Sequence, residues 1–117
     1  DADGYLAIRG RLKRFAKIGG ETVSLTVVEN CASALWPEHN HAAVAMAGDR
    51  RGEEIVLVTT NVEAARADFA VWARNHGVPE LAVPRRIVAV TEIPVLGTGK
   101  TDYTGVARMV TEQRETP

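Results

Sequence analysis

An α+β domain, with about three helices packed on a small mixed sheet, is the fold class this sequence predicts, from three observations. Short β-branched or apolar runs alternate with longer stretches of helical periodicity. Gly48-Asp49-Arg50-Arg51-Gly52 separates two of the apolar runs and reads as the turn of a central hairpin. Serine, glycine and proline stand where the longer stretches should start and stop.

Taken in order, Asp3-Gly4 is a turn signal, and Tyr5 to Arg9 reads as a strand with Leu6 and Ile8 on one side. Gly10 interrupts it, and Arg11-Leu12-Lys13-Arg14 is polar enough to expect exposure. Phe15 to Ile18 is a second short strand, and Gly19-Gly20 is a turn able to take positive φ. Ser24 is placed to cap a helix running to about Trp36, with Leu25, Val28, Ala32 and Leu35 as its buried stripe. Pro37 stops that helix. His41 to Met46 and Glu54 to Thr59 are the hairpin strands. Thr60 or Asn61 is expected to cap the next helix, whose stripe is Val62, Ala65, Phe69 and Trp72 and whose end is marked by Gly77. Pro79 and Pro84 bracket a connector. Arg86 to Ile93 is a further strand, Leu96 to Thr101 a loop, and Asp102 to about Gln113 a terminal helix.

Composition narrows the function classes. A chain of 117 residues makes one domain, able to bury roughly two-thirds of its unfolded surface. With 45% hydrophobic residues and a net charge of −1 it is globular, and it lacks the basic excess that nucleic-acid binding demands. The single Cys31 cannot form an internal disulfide. No apolar run approaches the roughly 20 residues that span a bilayer. The chain opens at Asp1 without a methionine, which suggests a piece of something longer.

Two segments could carry chemistry. Gly97-Thr98-Gly99-Lys100-Thr101 puts a lysine at the tip of a flexible glycine-rich loop, where its point charge could reach a phosphate or carboxylate. A true phosphate-binding P-loop would need another glycine where Pro94 stands, so no closed anion nest forms. In Gly10 to Glu21, Arg9, Arg11 and Lys13 would share one face of an extended chain, and the Gly-Gly turn admits a narrow ligand. A solvated loop and a basic strand edge would account for the same residues. His39 and His41 lack further ligands at metal spacing, Cys31 falls near the apolar side of its helix, and Trp36 and Trp72 suit packing.

Together and in this order, the two segments resemble the C-terminal domain of the adenylate-forming acyl/aryl-CoA synthetase superfamily. Asp3-Gly4-Tyr5-Leu6 with Gly10-Arg11-Leu12-Lys13 is similar to the junction between that family's large and small domains. Lys17-Ile18-Gly19-Gly20-Glu21 with Val28-Glu29, and Pro94 to Lys100, are similar to its later motifs. Arg11 to Glu21, Val23 to Leu25 and His76 to Arg85 look most like the bifunctional acyl-[acyl-carrier-protein] synthetase/2-acylglycerophosphoethanolamine acyltransferase type. The run through Asp102 departs from the superfamily's Gly-Lys-(apolar)-x-Arg pattern and agrees with that type.

The resemblance implies a mobile lid over an N-terminal adenylation domain that holds most of ATP and Mg2+. A fatty acid carboxylate would attack ATP to give acyl-adenylate, and the phosphopantetheine thiol of acyl-carrier protein would then displace AMP. Lys100 would serve adenylation, Lys17 and Gly20 the thioester step, Lys13 the hinge, and Arg11, with Lys100, the nucleotide. A separate domain would pass the acyl group to a lysophospholipid at the bacterial inner membrane, with the lid itself soluble on the cytoplasmic side and inactive alone. The lid of an acyl-CoA ligase for another acid, and a free-standing interaction module, are the alternatives.

Overall fold

The computed structural model describes residues 14–48 and 52–115. The strand expected over residues 5–9, the junction residues Arg11 and Lys13, and the centre of the hairpin turn lie outside them. Two short strands, β1 (Phe15–Ile18) and β2 (Glu21–Ser24), pair antiparallel with Ile18 opposite Glu21. That register leaves a two-residue turn, and Gly19 and Gly20 take φ of 58° and 86°. Two consecutive positive φ values suit the turn that matches strand twist and are costly for any residue with a Cβ.

Helix α1 (Leu25–Leu35) follows at once, capped by Ser24, whose hydroxyl accepts from Val27 N at 3.3 Å. Leu25, Val28, Cys31 and Ala32 are its buried residues. Burial pushes the Cys31 thiol pKa up, so it sits in the core as a small apolar group. Strands β3 (His41–Ala47) and β4 (Glu53–Thr59) form the expected central hairpin, with Ala43 opposite Leu57.

Helix α2 (Arg66–Asn75) starts later than the sequence suggests. Asn61 caps a turn instead, its side chain accepting from Glu63 N at 2.9 Å and its carbonyl from Ala64 N at 3.1 Å. Val62 is 80% exposed outside the helix, so the buried face is Phe69 and Ala73. The other end is as expected: Gly77 has φ 73° and Val78 N donates to Ala73 O at 2.9 Å, which closes the last turn. A single 3₁₀ turn (Glu80–Ala82) leads into β5 (Arg86–Ala89), shorter than the run to Ile93 that the sequence suggests. Strand β5 pairs parallel with β4, a connection that needs the crossover α2 supplies. Helix α3 (Tyr103–Glu115) ends the fold.

The three-stranded sheet, ordered β3-β4-β5, has an apolar cluster on each face. Ala43, Ile55 and Leu57 point to one cluster, shared with Ala16 and Ile18 of β1 and with α1 and α2. Ala42, Val44, Val56, Val58 and Val88 point to the other, closed by Val106 and Val110 of α3. The alternation of small and branched residues along β3 and β4 thus serves both faces at once.

His41 pins the junction of these layers. Its ring contacts the Thr59 hydroxyl through Nδ1 at 2.9 Å and the Trp36 carbonyl through Nε2 at 3.0 Å. Burial holds its pKa below the ordinary 6.5. A folded-state value below the unfolded one gives stability that is present above about pH 6.5 and lost as pH falls through the folded value. Denaturant midpoints are therefore expected to drop between pH 7.5 and 5.5, and His41→Gln should flatten that slope. An unchanged slope would remove His41 as its source.

Candidate functional site: two glycine loops on opposite faces

The lysine loop is built more tightly than a flexible tip. Gly99 N donates to Leu96 O at 2.8 Å and Leu96 N to Lys100 O at 2.7 Å. Val95 bridges Thr101, and Asp102 N donates to Pro94 O at 2.9 Å. The result is a miniature hairpin with three loop residues, in which Gly99 supplies the required positive φ at 92°. Its apex is Gly97-Thr98, and Lys100 sits just past it on the returning side, not at the tip. The sequence could not show this, because the closing bonds are between backbone groups.

Lys100 is exposed, and its ammonium has no hydrogen bond or ion pair with a described residue. Beside it, Val95 and Leu96 are also exposed, at 61% and 48%. Immediately after the loop, the Asp102 carboxylate accepts from Gly105 N at 3.1 Å and so caps α3. A Cβ on Gly105 would stand 2.8 Å from Asp102 Oδ2 and 3.3 Å from Pro94 Cγ. The bare glycine lets the cap and the proline that starts the loop pack against the first helical turn.

Lys17 lies on the exposed face of β1 beside Phe15, which is 51% exposed. Its backbone is held firmly, with Lys17 N donating to Glu53 Oε1 at 2.7 Å. Close approach of Gly52 to Lys17 O, where a Cβ would stand at 3.0 Å, seats β1 against the start of β4. Gly20 faces open space, with nothing within 4 Å of a hypothetical Cβ. Its glycine is required by φ, not by packing inside the domain.

The structure does not bring Lys17 and Lys100 to one face. The β1–β2 turn rides on the cluster shared with α1 and α2, and the Lys100 loop leads into α3 on the opposite side of the sheet. Arg14, grouped by sequence with exposed residues, is partly buried. Its guanidinium lies 2.8 Å from Glu29 Oε1, donates to Ala43 O at 3.1 Å, and stacks 4.0 Å above the Tyr103 ring. Sequence reading missed Tyr103 and gave Glu29 no chemical task, since their separation of 74 residues leaves no local signal. Among the described residues no group of three or more His, Cys, Asp or Glu could hold a metal ion, and no helix is long and apolar enough to cross a membrane.

No family model matches the chain. It is 37% identical over 101 residues to the peroxisomal trans-cinnamate:CoA ligase of Petunia hybrida, covering 84% of this chain and 18% of that one. With the 2,3-dihydroxybenzoate-AMP ligase of Bacillus subtilis it shares 30% identity over 113 residues, 95% of this chain and 21% of that one. Among solved structures, apo MbtA of Mycobacterium smegmatis aligns with a TM-score of 0.74 and 27% identity over 84% of this chain and 19% of that one. The first two of these are named as ligases. The homologues and structural neighbours are members of the adenylate-forming acyl-CoA/AMP ligase family, and the fold is that of their C-terminal domain. The chain spans about a fifth of the length of these two ligases.

Proposed function

We propose that the chain is the mobile lid of an AMP-forming acid–thiol ligase, presenting Lys100 for adenylate formation and the Lys17–Gly20 turn for thioester formation. The observation that carries this reading is the placement of the two loops on opposite faces of one sheet. A single reaction centre on a neighbouring domain can receive both only if the lid turns between steps. Lys13 then serves as the hinge and Arg11 as a contact to ribose or phosphate.

The exposed Lys100 ammonium, without a described partner, fits an anion held by another body. It would bridge the acid's carboxylate and an ATP phosphate oxygen as negative charge gathers there. Open space at Gly20 fits a phosphopantetheine arm passing close to the backbone. ATP and Mg2+ would be held mainly by the N-terminal adenylation domain.

For the thiol acceptor we propose acyl-carrier protein, with a fatty acid as substrate. A fused domain would deliver the acyl group to 2-acylglycerophosphoethanolamine at the inner membrane. This finer reading rests on the residues around Asp102 and on His76 to Arg85. A CoA acceptor is favoured by the identity with a protein named as a CoA ligase. Offering CoA and acyl-carrier protein together to the whole ligase separates the two. Preference for acyl-carrier protein is expected, and exclusive use of CoA would overturn that acceptor while leaving the lid reading intact.

A further inference from the structure

Glu29 gathers three hydrogen-bond donors at the open edge of the sheet, the single Tyr103 O–H being shared between its two oxygens. Its Oε1 meets Arg14 Nη2 at 2.8 Å and the Tyr103 hydroxyl at 3.1 Å. Its Oε2 accepts from Ala43 N at 2.8 Å and again from the Tyr103 hydroxyl at 2.9 Å. Arg14 completes the pattern by donating to Ala43 O, so the pair takes the place of a neighbouring strand on edge strand β3.

Three elements meet here from both faces of the sheet. Arg14 heads β1, and its carbonyl accepts from Leu25 N at 2.9 Å, fixing the start of α1. Glu29 sits on α1. Tyr103 is the first residue of α3, one place after the Asp102 cap and three after Lys100. The cluster therefore spans the edge of the sheet between the segment that leads in from Lys13 and the loop that presents Lys100.

We infer that Arg14, Glu29 and Tyr103 form a positioning strut that fixes the Lys100 loop relative to the segment entering the domain. The inference rests on the lid reading above. β1 has other anchors, through buried Ala16 and Ile18 and the bond to Glu53. In α3, fully buried Val106 holds the first turn to the sheet, while Tyr103, next to the loop, is the helix residue that ties it sideways to Glu29 and Arg14. Removing the Tyr103 hydroxyl should thus displace the Lys100 loop and spare the Lys17–Gly20 turn. A misplacement of about 1 Å at a reacting group can cost as much as about 10²-fold.

The test uses the whole ligase and measures its two half-reactions separately. Tyr103→Phe is expected to lower kcat for pyrophosphate release about tenfold, with the KM for ATP unchanged and thioester formation from preformed acyl-adenylate preserved. Glu29→Gln, which keeps an acceptor oxygen, should lose less than Glu29→Ala. Equal loss in both half-reactions alongside a lower Tm would mean a purely structural tie and overturns the inference, as does no loss in either. Lys100→Ala is run in parallel. If that variant leaves pyrophosphate release unchanged, the lid reading falls and the strut with it; if only Tyr103→Phe is silent, the strut alone falls.

Discussion

Lys100→Ala, made in the ligase that carries this domain, is expected to slow pyrophosphate release by about 10²–10³-fold. Transfer from preformed acyl-adenylate to the thiol should persist. The size follows from removing one preorganised charge from a centre where the acid's carboxylate and the phosphate meet as anions. The selectivity follows from geometry. The β1–β2 turn occupies the other face of the sheet and has its own anchors at Ala16, Ile18 and Glu53. Because the Lys100 ammonium makes no hydrogen bond or ion pair with a described residue, and the Leu96 N–Lys100 O bond is to backbone, truncating the side chain breaks no internal contact of that kind. The melting temperature should therefore stay close to the parent's. Lys100→Arg is a sharper probe, since it keeps the charge but spreads it over a longer planar fork. It should restore only part of the rate. Pyrophosphate release at the parental rate in Lys100→Ala would end the case for this lysine.

Much of the architecture was legible because its signals are local. Ser24 before an apolar stripe, Gly19-Gly20 between two short strands and Gly77 after a periodic run each state a backbone requirement that only a few residues satisfy. The hairpin of β3 and β4 was equally plain from two apolar runs of matched length. The start of α2 was misread because Thr60 and Asn61 are good caps for turns as well as for helices, and Asn61 caps a turn. Arg86 to Ile93 reads as one strand, yet pairing with β4 stops at Ala89. The Thr59 carbonyl takes a last bond from Val90 N, and β4 has no further residue to offer.

The site divides in the same way. Lys100, Lys17 and Gly20 stand in motifs that sequence displays, but their placement on opposite faces depends on which cluster each element joins. The Glu29 strut was invisible for a different reason. Arg14 and Glu29 sit amid ordinary charged residues, and only folding brings Tyr103 to them from the far end of the chain. A carboxylate on a helix is usually solvated. This one is 17% exposed in its side chain and fully engaged.

Phe69→Ala should give the largest loss of stability, about 3–5 kcal/mol. Phe69 is the bulkiest fully buried side chain and packs its ring 6.3 Å from that of Trp36, joining α2 to α1. The other anchors of helix α2 are smaller or only partly buried: Ala70 and Trp72 pack against the core, and Arg66 Nε donates to Pro84 O at 2.9 Å. Ala65 provides no side-chain cap, and the only other buried residue is Ala73. Against a total of about 5–15 kcal/mol for a typical domain, such a loss leaves a sizeable unfolded population. A lower denaturant midpoint with unchanged slope would confirm it. A loss below about 1.5 kcal/mol, more typical of a volume-conserving swap, would mean that α2 is anchored elsewhere. The consequence reaches the lysine loop through topology. Helix α2 is the crossover that delivers β5, and β5 is held by four paired residues and by Arg85 N donating to Ile55 O at 2.8 Å. In Phe69→Ala, amide exchange at Arg86–Ala89 should therefore accelerate more than at the β3–β4 pairs. The chain running from β5 through Ile93 to Lys100 would lose its fixed origin, and pyrophosphate release should fall at temperatures where the hairpin remains protected.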